Sequence, residues 1–331
     1  MAVGLAFIGL KGHQSIVLDA IPDIPEVEIL AVADDDPEAL RRVPDFPGAK
    51  ATTRTYLDYR ELLESHKPDI IVEAGVDRER AGIITACAQR GIHVICEKPL
   101  AEDLAGLERV EKSILDAGLT CSALLTMRCE PPYLCMREAI AAGIVGEVTQ
   151  GGGQKSYRLG ARPNWQKSRE TFSGIIPYIG IHVMDLFRWT TGREFVEVMA
   201  YASNVGHPDM GDLEDNACVI AKLDNGASAA FRLDYCRPAA APTHGDDRLR
   251  VAGNRGVIEA KDGTVTAITK AEGPRELRLP PPVNFFADFI KAIQTDSEPF
   301  IPFADCVRIT DVVLRARESA ESRRPIKLAS G

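Results

Sequence analysis

Short apolar runs alternate with helix-like stretches along the first 125 residues. Val3–Gly9 is an apolar run closed by glycine, helical character begins near His13, and Val27–Asp34 is a second apolar run. Asp58–His66 then reads as a helix, Asp69–Ala74 as a strand and Arg78–Gln89 as a helix. His93–Cys96 (strand), Glu102–Ala117 (helix) and Leu119–Leu125 (strand) complete the series. Short runs that stay apolar rather than alternating fit strands buried on both faces, the mark of a parallel sheet covered by helices. The pattern predicts an α/β protein whose first domain, 1–125, is a doubly wound, Rossmann-type parallel sheet. The pattern then changes. Pro131–Ala142 reads as a helix and Gly146–Arg158 as a strand containing Gly151-Gly152-Gly153. Ile175–Thr191 is helical, and strands dominate after residue 193: Phe195–Ala202, Asn216–Asp224, Ala227–Tyr235, Arg248–Ala252, Gly256–Ala260 and Thr264–Thr269. Asn225-Gly226 between two of them is a strong hairpin signal, because both central turn positions need positive φ. Val283–Gln294 and Phe303–Ser319 close the chain as helices. The second domain, 126–331, is therefore expected to be α/β with a large open, mainly antiparallel sheet.

Composition narrows the function. The 331 residues are 45% hydrophobic and 26% charged, with a net charge of −9. An acidic chain without a basic block speaks against nucleic acid or an anionic membrane as the main partner. No apolar run reaches the roughly 18 residues of a spanning helix. The start, Met1-Ala2-Val3-Gly4-Leu5-Ala6-Phe7, has no basic leader and is strand-like, so no signal peptide is expected. The eight cysteines form no CxxC pair. They read as reduced, buried thiols of a cytoplasmic protein, with neither a disulfide frame nor a metal site.

In a doubly wound sheet, ligands bind at the carboxyl ends of the strands. The first such turn is Gly9-Leu10-Lys11-Gly12-His13. A full G-x-G-x-x-G would need glycine at 11 and 14, where Lys11 and Gln14 stand. An ordinary glycine turn and a degenerate dinucleotide fingerprint both fit. Asp34 ends the second strand 25 positions after Gly9, near the offset at which a carboxylate accepts from an adenosine ribose. Asp35 and Asp36 follow. One of the three is expected to cap the helix at Pro37. Together they would repel a 2′-phosphate, which favours NAD over NADP. The strand His93–Cys96 runs into Glu97-Lys98-Pro99, either a surface turn or a lysine held at a strand tip to hydrogen-bond a substrate hydroxyl. On the helix Ile175–Thr191, Tyr178, His182, Asp185 and Trp189 fall at i, i+4, i+7 and i+11, one stripe on an otherwise apolar cylinder. They form either a buried network in which Asp185 orients His182, or a catalytic row. Three stacked polar groups favour the second.

These pieces together resemble the Gfo/Idh/MocA oxidoreductases. The resemblance runs through Ile8-Gly9, Ala33-Asp34, Glu97-Lys98-Pro99-Leu100 and Arg128 with Pro132-Tyr133. It continues through Ala142–Glu147, Arg162-Pro163-Asn164-Trp165 and Gly180-Ile181-His182-Val183-Met184-Asp185. It implies an N-terminal dinucleotide domain, NAD as cofactor, and a homodimer or homotetramer formed through the C-terminal sheet. It implies that Lys98 lies near the nicotinamide and the reacting hydroxyl, and that His182 is the acid/base histidine. Tyr178 and Asp185 complete the catalytic candidates. The cofactor candidates are Gly9, Leu10, Lys11, Gly12, His13, Asp34, Gly75, Glu97, Lys98, Arg162 and Trp165. Three positions depart from the family pattern. Lys11 replaces the middle glycine. Glu73-Ala74-Gly75-Val76 stands where Thr or Ser followed by Pro is common, with Arg80 in place of a common His. Tyr178 occupies the position of the usual aspartate. The leading expectation is NAD-dependent oxidation of a secondary alcohol of a sugar, cyclitol or related polyol, or the reverse reduction. A redox-neutral lyase, epimerase or glycosidase would instead retain its NAD, and a non-catalytic NAD-binding regulator would not need Lys98 and His182. Lys155, Arg158, Arg162, Lys167 and Arg169 form a cationic run that could meet an acidic sugar, a cofactor phosphate or solvent.

Overall fold

The computed structural model of the chain describes residues 2–329. Met1, at the head of the expected first domain, and Ser330 and Gly331, at the tail of the second, lie outside the described residues. The chain divides into two compact units. The first runs to Leu124 and takes back Asn284–Val307; the second holds Leu125–Val283 and the chain from Arg308 onward. Asn284–Val307, expected with the second domain, thus joins the first.

The first unit is a six-stranded parallel sheet in the order β3-β2-β1-β4-β5-β6. Its strands are β1 (Val3–Ile8), β2 (Val27–Ala33), β3 (Arg54–Tyr56), β4 (Ile70–Glu73), β5 (His93–Cys96) and β6 (Cys121–Ala123). The intervening helices are α1 (Ser15–Leu18), α2 (Pro37–Leu40), α3 (Tyr59–Ser65), α4 (Asp77–Ala88) and α5 (Leu104–Ala117). β4 and β5 are buried almost throughout, as their unbroken apolar runs require. The helix expected from His13 stops at Leu18, and a short 3-10 turn with Pro22 at its start follows. Proline lacks the N–H that would extend the helix. The returning segment is pinned to β6: the Ser122 hydroxyl donates to the carbonyl of Ile301 (2.6 Å), and the amide of Ala123 donates to Cys306 Sγ (3.3 Å).

The second unit begins with α6 (Pro131–Ala141), β7 (Val148–Tyr157) and α7 (Ile181–Thr191), followed by β8 (Phe195–Ser203), β9 (Asn216–Leu223) and β10 (Ser228–Asp234). Then come β11 (Gly245–Gly253), β12 (Gly256–Lys261), β13 (Thr264–Thr269) and β14 (Arg275–Glu276). After α8 (Phe285–Thr295), which belongs to the first unit, α9 (Phe303–Ser322) and β15 (Ile326–Lys327) end the chain. The nine-stranded sheet has the order β14-β13-β12-β11-β7-β10-β9-β8-β15, antiparallel except where β7 and β10 run parallel. The glycine run of β7 has a packing reason. A Cβ at Gly151 or Gly153 would overlap the side chains of Phe187 or Val183 on α7, and one at Gly152 would overlap the carbonyl of Ala230 on β10. α7 can therefore lie directly on the backbone of β7. All eight cysteines are free thiols, but Cys218 and Cys236 are exposed, which corrects the expectation that all are buried. Among the described residues, no helix is long and apolar enough to cross a membrane.

Candidate functional site

In the first unit the fingerprint loop closes on the loop after β4. Gly9 has φ +80°, and a Cβ there would come within 2.5 Å of the Gly75 backbone. Only glycine tolerates both the conformation and the approach. The Lys11 amide donates to the Ala74 carbonyl (2.9 Å), tying the two loops together. Beside them opens a cavity of about 510 Å³ whose lining includes Gly9, Lys11, Asp34, Asp35, Arg60 and Gly75. Asp34 is buried at the tip of β2 and brackets the loop. It accepts from the amides of Leu10 (2.6 Å) and Asp36 (2.8 Å). Burial pushes its carboxyl up, against the pull of those two amides. Lys11 turns its ammonium to this acidic edge, 3.9 Å from Asp34 and bonded to Asp35, whose carboxyl it holds below the usual range. Asp36 is the cap: it accepts from the amide of Glu38 (2.9 Å).

Glu97 and Lys98 are 3% and 1% exposed, so Glu97-Lys98-Pro99 is no surface turn. One oxygen of Glu97 accepts from both the amide and Nδ1 of His13 (2.5 Å each); the other accepts from the amide of Lys98 (3.1 Å) and lies 3.7 Å from Lys98 Nζ. A Cβ on Gly12 would come within 2.6 Å of this carboxylate, so Gly12 makes room for Glu97. Burial works against the ionised form of Glu97. Lys98, His13 and Arg80 outweigh it and hold the carboxyl well below its usual range. The next strand tip carries a second buried acid. Glu73 accepts from Arg80 Nε (2.7 Å) and from the Gly75 amide (2.8 Å). Arg80, 1% exposed, also reaches Asp77 (3.2 Å) and the carbonyls of Pro99 (2.8 Å) and Gly75 (3.3 Å).

In the second unit the polar stripe is modified. Ile176–Gly180 is wound as a π-turn that leads into α7, so Tyr178 lies off the regular 3.6-residue register. Tyr178 and His182 are half-buried. The Tyr178 ring meets Phe172 (5.0 Å) and Trp165 (6.3 Å), which brings two candidates, Tyr178 and Trp165, together. Asp185 gives both oxygens to the fully buried Arg128, at 2.7 and 2.5 Å, and Trp189 packs under Arg128 and Arg137. Arg162 turns to Gln166 (3.3 Å) and lies over the Tyr235 ring (4.5 Å). The cationic run does not converge: Lys155 pairs with Asp247 (2.6 Å), Arg169 with Glu214, and Arg158 bonds the Ala241 carbonyl. Burial lowers the Lys155 pKa, with Asp247 opposing. Among the described residues, no group of three or more His, Cys, Asp or Glu could hold a metal ion.

The buried Glu73–Arg80–Asp77 set escaped the sequence reading as a site. Its signals were an acid ending an apolar strand with an arginine seven positions on, and the departure of Glu73–Val76 and of Arg80 from the family pattern. In the first unit, then, Gly9, Lys11, Asp34 and Gly75 line the cavity with the Leu10 amide bonded to Asp34, and His13, Glu97 and Lys98 form a hydrogen-bonded group beside which Gly12 leaves room for the Glu97 carboxylate.

Two family descriptions match the chain: an oxidoreductase family with an NAD-binding Rossmann fold over residues 3–124, and the GFO/IDH/MocA C-terminal domain over 133–259. A myo-inositol 2-dehydrogenase of Thermotoga maritima is 25% identical over 99% of this chain and 98% of its own. A D-apiose dehydrogenase of Paraburkholderia graminis is 25% identical over 98% of this chain and 89% of its own. A solved structure described as an oxidoreductase from Thermotoga maritima shares 31% identity, covers 98% of this chain and 100% of its own, and superimposes with a TM-score of 0.93.

Proposed function

This chain belongs to the Gfo/Idh/MocA oxidoreductase family, and we propose that it is an NAD-preferring dehydrogenase acting on a secondary alcohol of a sugar, cyclitol or related polyol. The observation that carries this reading is Lys98, a buried lysine at the carboxyl end of β5, hydrogen-bonded into the same group as the fingerprint loop. Burying an ammonium costs several kcal/mol unless it is paired. Glu97 provides the pairing at 3.7 Å.

NAD, when bound, supplies the hydride acceptor. Asp34 would hold the adenosine ribose by accepting from its hydroxyls, and the acidic edge Asp34–Asp36 would disfavour a 2′-phosphate. Lys98 donates to the substrate oxygen and stabilises the charge that develops there. His182 takes the hydroxyl proton, and Tyr178 relays it. Arg128 holds Asp185, which fixes the helix that carries His182. The relatives named for inositol and apiose support a polyol substrate. The free thiols fit a reducing, cytoplasmic setting.

The test is NADH formation across a panel of cyclitols and aldoses, in wild type and Lys98→Met. Lys98→Met is expected to bind NAD and to lose about 10²-fold or more in kcat/KM, the scale for removing a charge stabiliser. Normal turnover by the variant would remove Lys98 from the reaction. NAD binding without turnover of any panel member would overturn the dehydrogenase reading.

A further inference from the structure

We propose that Arg80 is the positioning residue for the nicotinamide half of the cofactor site. It acts as a buried clamp that joins the loops after β4 and β5 and thereby sets Lys98.

The geometry carries this. Arg80 stands in the first turn of α4, and its guanidinium makes bonds in four directions within the protein interior. Two are to carboxylates, Glu73 and Asp77. The other two are to main-chain carbonyls of different loops: Gly75, after β4, and Pro99, directly after Lys98. Glu73 completes the circuit by accepting from the Gly75 amide, while its own carbonyl accepts from the amide of Glu97 (2.9 Å). Lys98 is therefore fixed on both sides. On one side, Glu97 is held by the β4 backbone and by His13. On the other, the carbonyl of Pro99 is held by Arg80.

Charge alone does not explain an arginine here. A lysine could neutralise Glu73, but its single nitrogen cannot direct parallel donors at two carboxylates and two carbonyls on different loops. The planar fork can. The cost of burying it is offset because every one of these bonds has a charged partner or a main-chain acceptor.

The location decides what the clamp serves. With strand order β3-β2-β1-β4-β5-β6, the switch point lies between β1 and β4. With Asp34 as the ribose acceptor, the adenosine half of a dinucleotide would fall to the β1–β2 side. The nicotinamide half would then fall to the β4–β5 side, where Arg80 joins the two loops. A loosened clamp should therefore harm one half of the cofactor and spare the other.

Binding of NADH and of ADP, which lacks the nicotinamide riboside, is measured by titration calorimetry for wild type and Arg80→Lys. The expected result is NADH affinity lowered about tenfold or more, with ADP affinity within about twofold of wild type. Parallel loss of both ligands would make Arg80 a general structural residue, and unchanged NADH affinity would show that the clamp has no bearing on the cofactor; either overturns the proposal. If Arg80→Lys does not fold, the triple variant Arg80→Met, Glu73→Gln, Asp77→Asn removes the guanidinium together with the charges of both carboxylates it pairs and is read in the same way. Failure of wild type to bind NADH would instead overturn the dinucleotide reading itself, so the two failures are distinct.

Discussion

Tyr178 separates what a side chain contributes by shape from what it contributes by chemistry. Its ring packs edge-on against Phe172 and Trp165, and Phe fills the same volume. Tyr178→Phe should therefore keep the unfolding midpoint and NAD affinity nearly unchanged. If the phenolic oxygen relays a proton, single-turnover NAD reduction should slow by roughly 10²-fold; an unchanged rate and pH profile would leave Tyr178 with a packing role only. Glu97 makes a prediction about acid. Burial opposes its ionisation, but Lys98, His13 and Arg80 together depress its pKa in the folded chain. A depressed carboxyl contributes stability that is present above the unfolded value of about 4.3 and is lost as pH falls through the folded value. Urea midpoints measured from about pH 6 down to about pH 3 should decline for wild type and decline less steeply for Glu97→Gln. Equal slopes would mean that the His13 and Lys98 contacts are not maintained in solution.

β7 shows what hydrophobic patterning conveys and what it hides. Its glycine run was plain in the sequence, but its reason is tertiary: α7 and β10 occupy the space that three Cβ atoms would need. Gly153→Ala should destabilise the second unit by about 1–3 kcal/mol, the overpacking range, read as a lower urea midpoint at constant m-value. No loss would mean that α7 sits further from the sheet. The short apolar strands of the first unit and the hairpin at Asn225-Gly226 were legible because burial on both faces and a turn glycine leave direct marks on residue choice, but of the two turn residues only Gly226 takes positive φ (+85°), not both as expected. β3, β14 and β15 were not. They have three, two and two residues, largely exposed, and hydrogen-bond to a neighbour without any apolar signal. The same distinction holds for the candidate site. Asp34, Glu97 and Lys98 stood out as charges ending apolar strands. Arg80 could not be weighed from sequence, because its four partners lie on segments that only the folded sheet brings together. Nor could the π-turn at Ile176–Gly180 be read, since a 3.6-residue period was the only template.

The outer face of the nine-stranded sheet bears on assembly. Tyr201 on β8 and Ile220 on β9 are 61% and 59% exposed on the face turned away from the buried Ala200 and Val219, and the exposed Cys218 of β9 pairs directly with Tyr201. Apolar groups grouped on one broad face suit a subunit contact. If this face joins two or four copies, Ile220→Lys should shift the sedimentation coefficient toward that of the monomer without altering NAD affinity. A wild-type monomer would dismiss the arrangement. A different consequence follows from the return of Asn284–Val307 to the first unit. The Ser122 hydroxyl bonds to Ile301, and Phe286 and Phe289 of α8 are buried. During synthesis, the ribosome has released more than 150 further residues before the last part of the parallel-sheet unit emerges. The first unit is thus finished only after Leu125–Val283 of the second has been made. A nascent chain stalled within Leu125–Val283 lacks Asn284–Val307, so maturation of the first unit is coupled to synthesis of most of the second.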